Sequence, residues 1–467
     1  MLIFQRYLLK NKIMFRFLFY IILCALLFLQ SCTEIPEGIG TNIPPETYLS
    51  LFPDSIISPQ KTKIRITWWG DDPDGLIKEF RFSFDSTNWT TTTKNDSTFQ
   101  LVISGQDSTF RFWVASVDDR GLADPTPATN LYPVVNSPPS VSFNPGTEIA
   151  DTTFPVASFS WIGTDPDGDN TIKYYYWALN DTANWHSVSP NTTLITLRQT
   201  DGIIPNSNNI LYLKAEDIAG MFSPVKRMPD TNKTWFVRAK VGSILLINDY
   251  FRTVPTDVVQ AVNFYNNALD SAFQNNYSKL DIKVAGGANI PKIINPMFIE
   301  TLKLFQCVIW FGYRSPNDNT NFDLAQQTLP FYVVSGGKVL FSTGFPDAIT
   351  SQGSIINFAP VDSVTNFQIV NVLTTEQTMV FSPGYPVLEV STTIDRVRGI
   401  KYWAGTPVIY KLNYSTPYDT SKITVCIKDA VSNPKVFFLS VPLNRMNGNG
   451  GATYFIRKVL SVDFGLN

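Results

Sequence analysis

Between residues 63 and 121, and again between 156 and 220, the chain carries the same features in the same order, and this repetition limits the fold more than any other property. In the first copy Ile64, Ile66 and Trp68 alternate with Lys63, Arg65 and Thr67, and Gly70 and the turn Asp72-Pro73-Asp74-Gly75 follow. In the second, Ala157, Phe159 and Trp161 alternate with serines ahead of Gly163 and Asp165-Pro166-Asp167-Gly168. Each turn leads into another alternating segment, Phe80, Phe82 and Phe84 in one copy and Ile172, Tyr174 and Tyr176 in the other, and then to a tryptophan behind an asparagine, Trp89 or Trp185. A third strand, through Phe110, Phe112 and Val114 or through Leu211, Leu213 and Ala215, ends each copy in an acidic turn. A period of two places one strand face in a core and the other in water. Several such strands broken by Gly, Pro, Asn and Asp make a β-sandwich of about 100 residues. Two tandem all-β sandwiches are therefore expected, over 45–135 and 138–238, with Pro138 and Pro139 stiffening the junction. Trp113, Tyr175 and Trp177 are expected on outward strand faces, where the rings either serve as contact surface or face a neighbouring module.

The repeat resembles fibronectin type III (Ig-like) modules, with Trp68 and Trp161 at the core tryptophan of the second strand. The resemblance implies spacers or binding surfaces and does not choose between them. In the repeated turns Asp72, Asp74, Asp165 and Asp167 offer hard oxygen ligands for calcium, with the later acidic turns completing a shell. The same residues are also good turn chemistry, with Asx hydrogen bonds and a glycine at positive φ, and both readings stand.

Beyond residue 239 strands alternate with helices. The run 243–248 is apolar without alternation, as in a parallel strand buried on both faces. Over 256–273 Val258, Val262, Tyr265, Leu269 and Ala272 recur at three and four, an amphipathic helix. Strands follow near 280–284, 307–311 and 338–342, with helices near 296–304 and 322–334; a strand at 436–441 and a helix carrying Ala452, Phe455, Ile456, Val459 and Leu460 close the chain. This succession reads as a doubly wound, flavodoxin-like α/β domain over 240–467. Its opening strand through Asn248 and Asp249, the run Ser335-Gly336-Gly337-Lys338 through Ser342-Thr343-Gly344 and the closing strand and helix resemble the class I glutamine amidotransferase-like fold.

Active members of that fold place a cysteine at a strand-to-helix elbow beside a histidine and an acid. Those residues do not carry over. Cys307 and Cys426 lie inside apolar strand runs, and the single histidine, His186, belongs to the second β repeat. A thiol or hydroxyl nucleophile without a neighbouring base is not activated at neutral pH, so no catalytic residue is assigned and the domain is expected to be non-catalytic. Zinc-ligand clusters and the glycine motifs GxGxxG and GxxxxGK[ST] do not occur in the sequence. A ligand-binding crest is expected where the parallel strands end, at Asp249, Tyr250, Arg314, Ser342 and Thr343.

The amino end completes the layout. Residues 1–16 carry Arg6, Lys10, Lys12 and Arg16 and no acid, and 17–29 is an unbroken apolar run. That run is too short to cross a hydrocarbon core of about 30 Å as a helix and right for a secretory leader. Leu29-Gln30-Ser31-Cys32 resembles the lipobox of bacterial lipoproteins. The resemblance implies a signal peptide over 1–31, a diacylglycerol on Cys32 and, with Thr33 rather than aspartate next, an outer-membrane lipoprotein of the cell envelope; a Pro/Gly-rich tether spans 32–44. A net charge of -2 gives no electrostatic case for a nucleic-acid partner. The function expected is a membrane-anchored envelope binding or scaffolding protein for a glycan or an envelope protein, with no cofactor unless calcium fills the acidic turns. The alternative is a carboxylate-dependent glycoside or amide hydrolase on the α/β domain, since two carboxyl groups suffice for such chemistry.

Overall fold

A computed structural model describes residues 41–50, 63–101, 107–250, 255–282, 290–313, 322–345, 357–372, 374, 376–413 and 422–466. The leader, Cys32 and Arg314 lie outside the described residues. The chain divides into two compact units at Ser137 and Pro138.

The first unit is a two-layer sandwich. Strands β1 (Glu46–Leu49), β2 (Lys63–Asp71), β3 (Ile77–Ser83), β4 (Thr90–Thr92), β5 (Asp96–Gln100), β6 (Asp107–Asp118) and β7 (Ala128–Val135) form the sheets β1-β2-β5 and β4-β3-β6-β7. The alternation of β2 turns Ile64, Ile66 and Trp68 inward against Phe80, Phe112, Val114 and Val134, and Trp68 is fully buried.

The second unit begins with the same plan. Strands β8 (Ser140–Phe143), β9 (Thr152–Thr153), β10 (Val156–Thr164), β11 (Ile172–Leu179), β12 (His186–Val188), β13 (Leu194–Arg198), β14 (Ser207–Asn208), β15 (Leu211–Asp217), β16 (Lys226–Met228) and β17 (Phe236–Val237) form β13-β10-β8, β12-β11-β15-β16 and the small sheet β14-β17-β9. Along β11 the strand faces are reversed from the expected alternation. The register shifts between Ile172 and Tyr174, a bulge that inserts one residue and flips every side chain beyond it. Tyr175, expected outside, is therefore buried edge-on against Trp161 with its hydroxyl over Gly163, where a Cβ would stand 2.3 Å from it. Tyr174, expected inside, is 40% exposed.

The rest of the second unit is built on one eight-stranded sheet. Its elements are β18 (Ile244–Tyr250), α1 (Pro255–Phe273), β19 (Ser278–Asp281), α2 (Ile299–Lys303), β20 (Cys307–Tyr313), α3 (Phe322–Val334), β21 (Lys338–Thr343), β22 (Val361–Val372), β23 (Thr378–Val380), β24 (Ile394–Tyr402), β25 (Val408–Asn413), β26 (Lys422–Lys428), β27 (Val436–Leu439) and α4 (Gly451–Lys458). The sheet order is β19-β18-β20-β21-β27-β26-β25-β23; the first five strands are parallel and the remainder antiparallel, with β22 and β24 paired beside them. Every residue of β18 and of β20 is buried, because both sheet faces are covered. Ile244, Leu246, Ile309 and Phe311 meet α1 and α4 on one face, while Leu245, Ile247, Val308 and Trp310 meet α2 and α3 on the other. Strands β22 to β25 have no counterpart in the sequence reading, since their sequence is mixed and polar at its turns, whereas β26 covers the apolar strand run around Cys426.

The sandwich and the α/β part share core residues. Met297, at the start of the α2 segment, belongs to the sandwich core with Trp235 and Phe159, and Phe154 of the sandwich packs edge-on against Phe305 of the α/β part at 5.2 Å. Arg198 pairs with Glu300 at 2.8 Å across the same junction.

The bulge makes a direct prediction. Tyr175→Ala should lower the unfolding free energy in urea by about 3–5 kcal/mol, the usual cost of truncating a buried aromatic, and Tyr174→Ala by no more than about 0.5 kcal/mol. The reverse order would restore the unbulged register.

Candidate functional site

In the parallel part of the sheet, numbered along the chain, the strands lie in the order 2-1-3-4-5, and the chain reverses direction between β18 and β20, the switch point where sheets of this kind bind ligands. Of the expected crest residues, Asp249 and Tyr250 end β18 and Ser342 and Thr343 end β21, on the same side of the parallel sheet. Asp249, Tyr250, Ser342 and Thr343 are all buried, and the contacts around them are internal. The Ser342 hydroxyl donates to the Val441 carbonyl at 3.0 Å and accepts from the Leu443 N–H at 3.0 Å and the Tyr265 hydroxyl at 3.3 Å. Its proton therefore rests on a carbonyl rather than on a base. Asp249 accepts a hydrogen bond from the Trp310 indole at 3.2 Å. The Tyr250 hydroxyl accepts from Arg445 at 3.4 Å, and Arg445 in turn pairs with Asp257 at 2.9 Å and lies over the Tyr313 ring at 4.9 Å. Arg445 and Asp257 were not singled out from sequence as site residues; they lie 188 residues apart in the chain, and no local motif joins them.

Cys307 and Cys426 are fully buried, and burial pushes both thiols far above the ordinary thiol range. They are not poised nucleophiles.

The acidic turns carry the same hydrogen bond in both sandwiches. Asp72 accepts from the Asp74 N–H at 3.2 Å, and Asp165 from the Asp167 N–H at 2.8 Å. Asp74 also pairs with Arg120 at 3.2 Å. The second carboxylate oxygens of Asp72 and Asp165 are enclosed without a hydrogen-bond partner. Among the described residues, no group of three or more His, Cys, Asp or Glu is placed to hold a metal ion.

A different feature stands out on the four-stranded sheet of the second sandwich. Because of the bulge, Tyr174 and Tyr176 point away from the core, opposite Glu216 and Lys214 of β15. The Lys214 ammonium lies over three rings: Phe222 at 4.2 Å, Trp185 at 4.5 Å and Tyr176 at 5.5 Å. Tyr176 donates its hydroxyl proton to Glu216, which holds the phenol up to about 12, and Lys173 stands 3.7 Å from the same carboxylate. Phe222 is 47% exposed. Of the aromatics expected on outward faces, Tyr175 is in the core, Trp177 packs partly against that core and stacks on His186 at 4.2 Å, and Trp113 of the first unit lies under Arg111 at 5.8 Å. At the equivalent places on β3 the first sandwich has Glu79 and Arg81, an ion pair at 3.6 Å. The fold thus accepts charged residues there, and the two tyrosines are particular to the second copy, whereas Trp185 has its counterpart in Trp89.

No family model and no curated protein matches the chain. Among solved structures it is similar to a ThuA-like protein of Bacteroides uniformis, at 12% identity over 49% of this chain and 96% of that one, with a TM-score of 0.32. It is also similar to the fibronectin(III)-like modules of Clostridium thermocellum CbhA, at 13% identity over 42% of this chain and 95% of that one and a TM-score of 0.18. A two-domain fibronectin type III segment of chicken tenascin is 17% identical over 39% of this chain and 96% of its own, with a TM-score of 0.21. With scores of this size, the description of the fold rests on strand order and register.

The turn acids yield a pH-dependent prediction. Burial, reinforced by Asp167 and Asp217, raises the Asp165 carboxyl above its ordinary 3.8. Ionised Asp165 therefore disfavours the folded state at neutral pH, and this penalty vanishes as pH falls below about 4, where folded and unfolded chains are both protonated. Asp165→Asn, which keeps the acceptor for the Asp167 N–H, should raise the melting temperature at pH 7 in chelator and leave it unchanged at pH 3. A fall at pH 7 in chelator would contradict this.

Proposed function

We propose that the chain is a lipid-anchored envelope protein whose second sandwich binds a glycan on the outward face of β11 and β15, while the α/β domain, of amidotransferase-like kind, serves as its non-catalytic support. The observation that carries the reading is the cluster of Tyr176, Trp185 and Phe222 around Lys214, with Tyr174 against Tyr176; in the first sandwich charged residues stand at the places of the two tyrosines. Sugar rings present flat C–H faces that lie on aromatic rings and hydroxyls that need donors and acceptors at the ring edge; Lys214, Glu216 and Lys173 supply these. Aromatic side chains of this size, left in water on a folded domain, favour a contact role over a packing one.

Anchoring through Cys32 follows from the lipobox resemblance; no described helix is long and apolar enough to cross a membrane. A carboxylate-dependent hydrolase on the α/β domain is the weaker reading, because Asp249 is enclosed and bonded to Trp310 and the Ser342 hydroxyl is engaged by Val441 and Leu443.

The test is co-sedimentation of the full mature chain with peptidoglycan sacculi and a panel of insoluble polysaccharides. At least one should retain the protein, and combined Tyr174→Ala and Trp185→Ala should weaken that binding about tenfold, ~1.4 kcal/mol. Failure to bind any glycan, or retention that ignores both substitutions, would refute the reading.

A further inference from the structure

The junction of the second sandwich with the α/β part holds a pocket lined by Phe154, Leu280, Met297, Phe298, Thr301 and Arg238, with a cavity volume of about 80 Å³ that continues into solvent. Its walls are apolar except for threonine hydroxyls and one guanidinium. Arg238 lies flat over Phe154 at 4.0 Å. Its Nε–H is enclosed with no acceptor. Among the described residues no carboxylate forms an ion pair with it; Asp281, whose charge reaches it, accepts instead from the Asn248 amide at 2.8 Å. Burial accordingly lowers the guanidinium from its ordinary value, which is the sign of a charge short of partners.

Arg238 is half-buried, with its Nε–H enclosed, and gives up part of its hydration with no carboxylate among the described residues within ion-pair distance. Stacking on Phe154 does not require that charge, because a leucine or methionine would cover the ring without it. The charge is explained if the pocket has an anionic occupant. Arginine binds carboxylates in a planar, two-pronged geometry, and the surrounding Phe298, Met297 and Leu280 suit an apolar body behind the carboxylate.

We propose that this pocket binds a small organic carboxylate, with the carboxylate on Arg238 and its apolar part against Phe298 and Met297. The site is separate from the aromatic face of the same sandwich and does not depend on glycan binding there.

Benzoate and its neutral isostere benzamide test this by isothermal titration of the full mature chain. Benzoate should bind saturably at one site per chain, at least tenfold tighter than benzamide, and should slow hydrogen exchange at 152–154 and 297–301. Arg238→Gln should remove the advantage of benzoate and leave benzamide unchanged. Equal affinity of the two compounds for the unmodified protein, or no saturable binding of benzoate, would overturn the proposal; this comparison decides the matter even if Arg238→Gln does not fold. Slowed exchange elsewhere with none at these segments would overturn it as well.

Discussion

Arg445 closes the edge of the parallel sheet. Its guanidinium is almost fully buried, paired with Asp257 from the first turn of α1, bonded to Tyr250 at the end of β18 and stacked on Tyr313 at the end of β20. One side chain near the carboxyl end of the domain thereby ties together two central strands and the first helix. Taking away one partner of such a buried pair commonly costs 3–5 kcal/mol, roughly, since the other charge is left without compensation. The polar groups around it follow from this closure: Ser342 is bonded into the strand-to-turn connection at Val441 and Leu443, and Asp249 to Trp310.

That closure bears on function. In doubly wound sheets the cleft outside the carboxyl ends of the strands is where ligands and catalytic groups gather. Here the described part of that edge is occupied by the chain's own arginine and tyrosines, and its thiols lie deep in strands. Surfaces suited to binding lie instead on the sandwich that shares its core with this domain. The α/β part meets that sandwich through Met297, Phe305 and Glu300, and Met297, with Phe298 and Thr301, also lines the Arg238 pocket.

What the sequence disclosed was set by how local the signal is. Fully apolar β18 and the three-and-four spacing of α1 announce themselves, because both faces of the strand and one face of the helix must be buried. The two sandwich cores were legible through Trp68 and Trp161 for the same reason. The faces of β11 were not, since a bulge is one extra residue and strict alternation cannot see it, although Gly163 beneath Tyr175 was a trace of it. Asp249, Tyr250, Ser342 and Thr343 sit at the ends of the parallel strands β18 and β21, a placement that follows from the strand runs, while their enclosure depends on Asp257 and Arg445, separated by 188 residues. Strands β22 to β25 are not legible in the sequence because their alternation is interrupted by polar turns and register shifts, whereas the apolar run of β26 around Cys426 is.

The account stands on the claim that binding takes place on the aromatic face of the second sandwich and not on the edge of the parallel sheet. Hydrogen exchange of the full mature chain, with and without the glycan that it retains, measures this most directly. Slowed exchange in β11 and β15, with 249–250, 342–343 and 443–446 unchanged, is the predicted result. Protection of the sheet-edge segments with no change in β11 and β15 would contradict it.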